Sequence, residues 1–468
     1  MQLGDTAPFR RSPEVRDATP AVVKGTVPSW LRGALVRTCP AVFEQGSWRA
    51  RHWFDGLGQI YAFRIGASSV SFQSRLLESE AAQQIAQGRS RLSTFGTPTG
   101  RTAWQRLVQP VQRSTDNTNV NLVQVGGQWI ALTEGERQLR IDPQSLRSLG
   151  AVPYARDGLT GTIMGAHPQF DTESHRVVNL ATHFGRQGMV SIYEHEAGAQ
   201  RRRIVGSWRT ERVPYLHAFG LTPAHAVLVA HPFSVRPMDM LWSNRGFIDH
   251  FEWRPQDGTQ VLVMDRATGA TTAYEADPMF VFHTVNAFER EGETVLDALV
   301  YPDAGIMAAL RTDRMLERLP DLRPRLTRMV MRPGRPRALV ETLSETGFEF
   351  PRTNDRQSSG RAYRYVWGAA NGPRPDGGYG SSVVKVDLRT GLAQAFADGV
   401  RIYGEPVFVS RPGGDDEDDG VLLSVGVNAH ADESALAILD ARSMALLASV
   451  EVPGAIPLGF HGSFIPDR

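Results

Sequence analysis

Short apolar runs recur along the whole chain, each broken by glycine, proline, aspartate or asparagine. Segments 121–132, 226–230, 260–264, 382–387 and 420–426 are rich in valine and too short for stable helices. Their length and β-branched content predict buried strands. Five aspartates close such runs: Asp142, Asp171, Asp265, Asp387 and Asp440. An aspartate side chain accepts from backbone N–H groups two residues on, so each one predicts a hairpin turn. No fixed period separates these turns, which argues against a regular short repeat. The pattern predicts an all-β chain: a sandwich, a barrel or an irregular propeller. Helical spacing is confined to 76–90, 303–319 and 236–248. The acidic run Asp415, Asp416, Glu417, Asp418 and Asp419 lies between glycines and predicts a solvated hairpin tip. No linker divides the sequence, so residues 1–468 read as a single domain.

Composition narrows the chemistry. The 468 residues are 41% hydrophobic and 22% charged, the balance of a globular chain with a large core. A formal net charge of +1 gives no global field for nucleic acid or an anionic membrane. Cys39 is the only cysteine, so an intrachain disulfide or a cysteine-based metal cluster cannot form. That fits a reducing, cytoplasmic setting. Residues 1–17 lack an apolar core, and no long apolar run follows, so neither a secretory signal nor a membrane span is expected. Lys24 and Lys385 are the only lysines, which removes lysine from most candidate sites.

Twelve histidines remain to be placed. His175, His195, His225, His250 and His430 lie in polar or turn contexts and read as surface residues. His52, His183 and His231 have no evident shared site. His167 in MGAHPQFD, His217 in PYLHAFGLT, His283 in FVFHTVNAF and His461 in LGFHGSF are each flanked by apolar or aromatic residues. A buried imidazole needs partners for both ring nitrogens, and a metal or a carboxylate supplies them. Four histidines this far apart suit four strands meeting at one point. An all-imidazole set takes zinc, copper, iron or nickel, and spacing does not choose among them.

The motifs around these residues resemble the carotenoid cleavage oxygenase family over nearly the whole chain. VPSWLRGALVRTCPAVFE at 27–44 and RHWFDGLGQIYAF at 51–63 resemble two opening motifs of that family. AHPQFD, LHAFGLT, FHTVNAFE and FHGSF resemble its four iron-histidine motifs, in order. ALTEGERQLRIDP, FEFPRTN and YGEPVFVSRPG resemble the three motifs that support them. Cys39 stands where the family usually has glycine, and Val120 where many members carry a threonine near the metal. TDNTNVN, ALTE and FEFPR look closest to the animal-type branch, which holds β-carotene oxygenases and the retinoid isomerase.

The resemblance implies a seven-bladed β-propeller capped by a helical dome. It implies Fe(II) on the axis, bound by His167, His217, His283 and His461 and oriented by Glu134, Glu349 and Glu405. With O2 as co-substrate, the reaction is cleavage of a conjugated double bond in a carotenoid or apocarotenoid, giving aldehydes such as retinal. A polyene offers few polar handles, so an apolar tunnel is expected. Phe54, Trp104, Val120, Tyr154, Phe219, Phe282 and Phe460 lie near the motifs and are its candidate walls. Three alternatives stand beside this reading. Stilbene cleavage is disfavoured because Thr133 occupies the position of that branch's lysine. Retinoid isomerisation and a non-enzymatic binding propeller are the others. Segment 235–248, with Met238, Met240, Leu241 and Trp242, is a candidate for peripheral membrane contact. No nucleic-acid or protein partner is implied.

Overall fold

Residues that alternate or run apolar without helical period have little choice but to pair as strands. The computed structural model describes residues 9, 14–315, 323–373, 379–428 and 431–467. Asn121–Val125 and Gln128–Leu132 form a hairpin across Gly126 and Gly127, both at positive φ. Two successive positive φ values match the twist of the flanking strands, and glycine reaches them without penalty. The other predicted runs lie in the strands His225–Ala230, Thr259–Asp265, Tyr379–Asp387 and Gly420–Asn428. All five predicted aspartates turn their chains as expected. Asp265 Oδ1, for example, accepts from the Thr268 N–H at 2.7 Å, and Asp142, Asp171, Asp387 and Asp440 do the same.

Among the described residues the strands form seven antiparallel sheets of four to six strands and two smaller ones. Two pairings join distant parts of the sequence. Gly462–Pro466 returns to pair with Gly33–Val42, and Leu446–Pro453 pairs with Val22–Gly25. Leu35, Phe63, Leu423 and Ile438 pack in one core cluster between the sheets so joined. Cys39 lies in this core, where burial pushes its thiol up to about 12 and leaves it inert.

Helix is scarcer than the spacing predicts. Within 76–90 only Glu80–Ala86 is α-helical, because Leu76 still belongs to a strand and Ser79 caps the helix start. Segment 236–248 gives two single 3-10 turns, Pro237–Met240 and Phe247–His250. The described part of 303–319 holds Gly305–Ala309; residues 316–319 lie outside the described residues. A further helix, Ala103–Val108, starts on a capping box of Thr102 and Gln105.

The acidic run does tip the hairpin between Val407–Ser410 and Gly420–Asn428, but of its five acids only Asp415 and Asp416 are exposed there. Asp418 is buried and accepts from Lys385 Nζ at 2.6 Å. Glu417 accepts from the backbone N–H groups of Arg364 and Tyr365, and Asp419 from Arg411 at 2.7 Å. Fixed cations and unpaired backbone donors draw these acids onto the protein, a demand that composition alone does not reveal.

Candidate metal centre

Local irregularity in the strands aims the four histidines inward. His283 lies on Phe280–Arg290, where the register with Glu293–Tyr301 shifts between Val281 and Thr284. Such a bulge re-aims a side chain that regular pleating would point elsewhere. His167 and His217 occupy short links between strands, and His461 immediately precedes Gly462–Pro466. The His461 N–H donates to the Val120 carbonyl at 3.1 Å, which fixes that link.

One ring nitrogen from each of His167, His217, His283 and His461 lies within 4.8 Å of the others. His167 Nε2 stands 2.9 Å from His217 Nε2, and His283 Nε2 stands 3.1 Å from His461 Nε2. Two imidazoles bound side by side to one ion at about 2.1 Å place their nitrogens about 3.0 Å apart. The donor set therefore fits a metal ion. Burial holds His167 and His217 well below the usual imidazole range and His461 down at about 3. Neutral imidazoles keep the lone pairs that a metal requires.

Three of the four rings give their other nitrogen to a carboxylate. His217 Nδ1 meets Glu134, His283 Nδ1 meets Glu349 Oε2 at 2.6 Å, and His461 Nδ1 meets Glu405 Oε1 at 2.7 Å. A carboxylate there fixes the tautomer and leaves Nε2 free. Among the described residues no carboxylate serves His167 in this way.

The three glutamates differ in company. Burial pushes Glu134 up to about 8, only partly opposed by the Tyr215 hydroxyl, which donates to it at 2.9 Å. Burial also raises Glu405, but Arg352, His461 and Arg37 outweigh it and hold that carboxyl well below the usual range. Arg352 Nε donates to Glu405 at 2.8 Å, and Arg37 Nη1 lies 3.4 Å from it. Glu349 accepts from the Tyr301 hydroxyl at 2.7 Å.

Two cavities adjoin the cluster. One, of about 600 Å³, has Phe54, Phe95, Val120, Phe247, Thr133 and Glu134 in its wall. The other, of about 520 Å³, is more polar and includes His167, His283, His461, Arg352 and Glu405.

The profile of the family described as retinal pigment epithelial membrane protein, RPE65, matches residues 9–466. The chain belongs to this family. It is 28% identical to the mitochondrial carotenoid-cleaving dioxygenase of Macaca fascicularis, across 95% of this chain and 92% of that protein. It is 29% identical to the β,β-carotene 15,15'-dioxygenase of Mus musculus, across 96% of this chain and 89% of that protein. Among solved structures, cobalt-substituted Synechocystis ACO superposes with a TM-score of 0.83 at 25% identity, covering 98% of each chain.

In this RPE65-family chain the candidate tunnel residues divide. Phe54 and Val120 line the apolar cavity. Phe282 packs 4.3 Å from the His217 ring, and Phe460 packs 4.7 Å from Phe54. Trp104 does not join them: it is 69% exposed, because its helix is short and has no buried face. Tyr154 packs instead with Leu159, Met164 and Tyr193, under the Arg202 guanidinium. Phe219 packs with Val178 and Ile192 and lines the polar cavity, not the apolar one.

His195 and His250 are buried, not on the surface, and His225 pairs with Glu289 at 2.8 Å. His430 lies outside the described residues. His52 is satisfied structurally, accepting from the Phe54 N–H and donating to the Met307 carbonyl. Sequence reading missed Tyr215, Tyr301, Arg37, Arg352 and Phe350. Phe350 holds φ at 55° beside Glu349, with its ring 5.3 Å from His461. That conformation is costly for a phenylalanine and persists because the strand register breaks there. Tyr215, two residues before His217 in PYLHAFG, and Phe350 and Arg352, beside Glu349 in FEFPRTN, stood close enough in sequence to signal a partner.

Proposed function

We propose that this chain is a non-haem Fe(II) dioxygenase that cleaves a conjugated carbon–carbon double bond of a carotenoid or apocarotenoid. One observation carries the reading: four imidazoles converge beside a cavity walled by aromatic side chains. The relatives named for carotenoid cleavage support the same chemistry. The seven larger sheets support seven propeller blades around the centre, with the two long-range strand pairings closing the ring. The segments around Ala81, Val108 and Met240, which line the apolar cavity, are the natural dome.

Iron held by His167, His217, His283 and His461 would supply one-electron chemistry toward O2 and an electron-rich alkene. The protein's own groups do the rest. Glu134, Glu349 and Glu405 hold three Nδ1 positions, so Nε2 stays directed at the centre. Phe54, Phe95 and Phe247 give a polyene a dry wall to lie against. No side chain is needed as acid, base or nucleophile, because alkene and O2 together account for both carbonyl products. No lysine faces the cavity: position 133 is threonine, and Lys385 is engaged by Asp418.

Among the described residues no helix is long and apolar enough to cross a membrane. Trp104, Leu107, Val108, Val111, Met238 and Trp242 are each more than half exposed. Val108 and Val111 line the apolar cavity, and the Trp242 N–H is bonded to the Pro110 carbonyl. This patch supports peripheral docking of a cytoplasmic protein on a membrane that holds the substrate.

Aerobic incubation of iron-loaded protein with β-carotene, apocarotenals and resveratrol, read by mass, tests the function. Aldehydes from the polyenes are expected, carrying oxygen from labelled O2. Products from resveratrol alone, or an isomerised polyene with no added oxygen, would overturn it. His283→Ala should lose both iron and activity.

A further inference from the structure

The two cavities at the imidazole cluster share no lining residue. The apolar one touches the cluster through Glu134, behind a screen of phenylalanines. In the polar one His167, His283 and His461 themselves form part of the wall. Gln169, Thr284 and Asn286 continue that wall with oxygen and nitrogen atoms, the carboxylates of Asp171, Glu173, Asp355 and Glu405 lie along it, and the guanidiniums of Arg352, Arg356 and Arg361 offset them in part. Thr172, Glu173 and Ser359 on its lining are exposed, so it opens to solvent.

A divalent cation travels with tightly held water. Against an aromatic wall it must shed that water with nothing in exchange, whereas polar side chains replace the lost contacts one at a time. A polyene has the opposite preference. We propose that the polar cavity is the path by which a hydrated divalent metal ion and exchanging water reach the four imidazoles, leaving the apolar cavity to lipophilic substrate. This rests on the metal reading above. It makes metal loading and substrate binding separate events, neither of which blocks the other.

A path differs from a ligand in its kinetic signature. Narrowing a path slows arrival and departure equally and leaves the equilibrium constant alone. Metal-stripped full-length protein is mixed with Co²⁺, uptake is followed by its visible absorption, and release is followed after adding EDTA. The double variant Thr172→Trp/Ser359→Trp, at the rim of the polar cavity, should slow uptake and release several-fold by one common factor. Its Co²⁺ affinity should match wild type. Thr172→Arg should slow uptake through charge, and added salt should remove that effect. Val111→Trp, at the apolar cavity, should change neither rate. Slowing by Val111→Trp with normal rates in the rim variants would overturn the path, as would normal rates in all three. Wild-type protein that binds no Co²⁺ would remove the metal reading and the path with it.

Discussion

Glu405 and Glu134 perform the same task for their histidines in different electrostatic settings. Glu405 is fully buried between Arg37 and Arg352, whereas Glu134 meets only a phenol and an imidazole. Neutralising Glu405 strands two guanidiniums, so Glu405→Gln should cost roughly 3–5 kcal/mol of stability. Glu134→Gln should cost about 1 kcal/mol. Each should weaken metal binding about 10–100-fold, because each disturbs one imidazole. Urea unfolding and metal titration of the two variants check this; equal stability losses would contradict it. The histidines and glutamates were legible because each sits in a motif of several residues. Arg37 and Arg352 lie in the same motifs but were not read as site residues, since an arginine in a strand reads as a solvated charge until a distant carboxylate is brought to it. Trp104 failed in the opposite direction: an apolar residue reads as buried until its helix proves too short to have an inner face.

At the scale of elements, hairpin turns were legible because aspartate acts on its own neighbours, and strand interiors because valine runs need no partner to be recognised. What joins one sheet to the next was not. Asp171 shows both behaviours. It caps its turn through the Glu173 and Ser174 N–H groups and reaches Arg266 at 2.5 Å, on another hairpin. Burial raises its carboxyl, but Arg266 and the turn donors outweigh that and bring it down to about 2. An unfolded aspartate titrates near 3.9, so the folded form binds its proton more weakly. The resulting stability is present above about pH 4, and is lost as pH falls toward 2. It amounts to roughly 2 kcal/mol. Urea midpoints between pH 5 and pH 2 should fall more steeply for wild type than for Asp171→Asn. Parallel curves would show that Asp171 contributes nothing through its charge. The acidic run at 415–419 was misread in part for the same reason: Lys385 and Arg442, which pair with Asp418 and Asp416, come from another strand and another turn.

For the whole molecule, the sequence pattern pointed to an all-β chain but left its closure open, because pairing between ends is written in no local signal. The distribution of surface is equally global. Exposed Trp104 and Trp242 come from separate segments that meet where Arg106 Nη1 donates to the Trp242 carbonyl, and only 235–248 was legible as a docking segment. Trp104→Ser/Trp242→Ser should reduce partition into liposomes several-fold while leaving cleavage of detergent-dispersed substrate unchanged. Unaltered partition would argue against docking through this face.

The pairing of Gly462–Pro466 with Gly33–Val42 bears on how the protein comes into being. During synthesis, three of the histidines leave the ribosome long before His461, and the early strand waits with one edge unmated. The fourth imidazole takes its place only when a segment more than four hundred residues later in the chain pairs back onto that strand. The four-histidine seat for a metal ion is therefore complete only once both ends of the sequence have met.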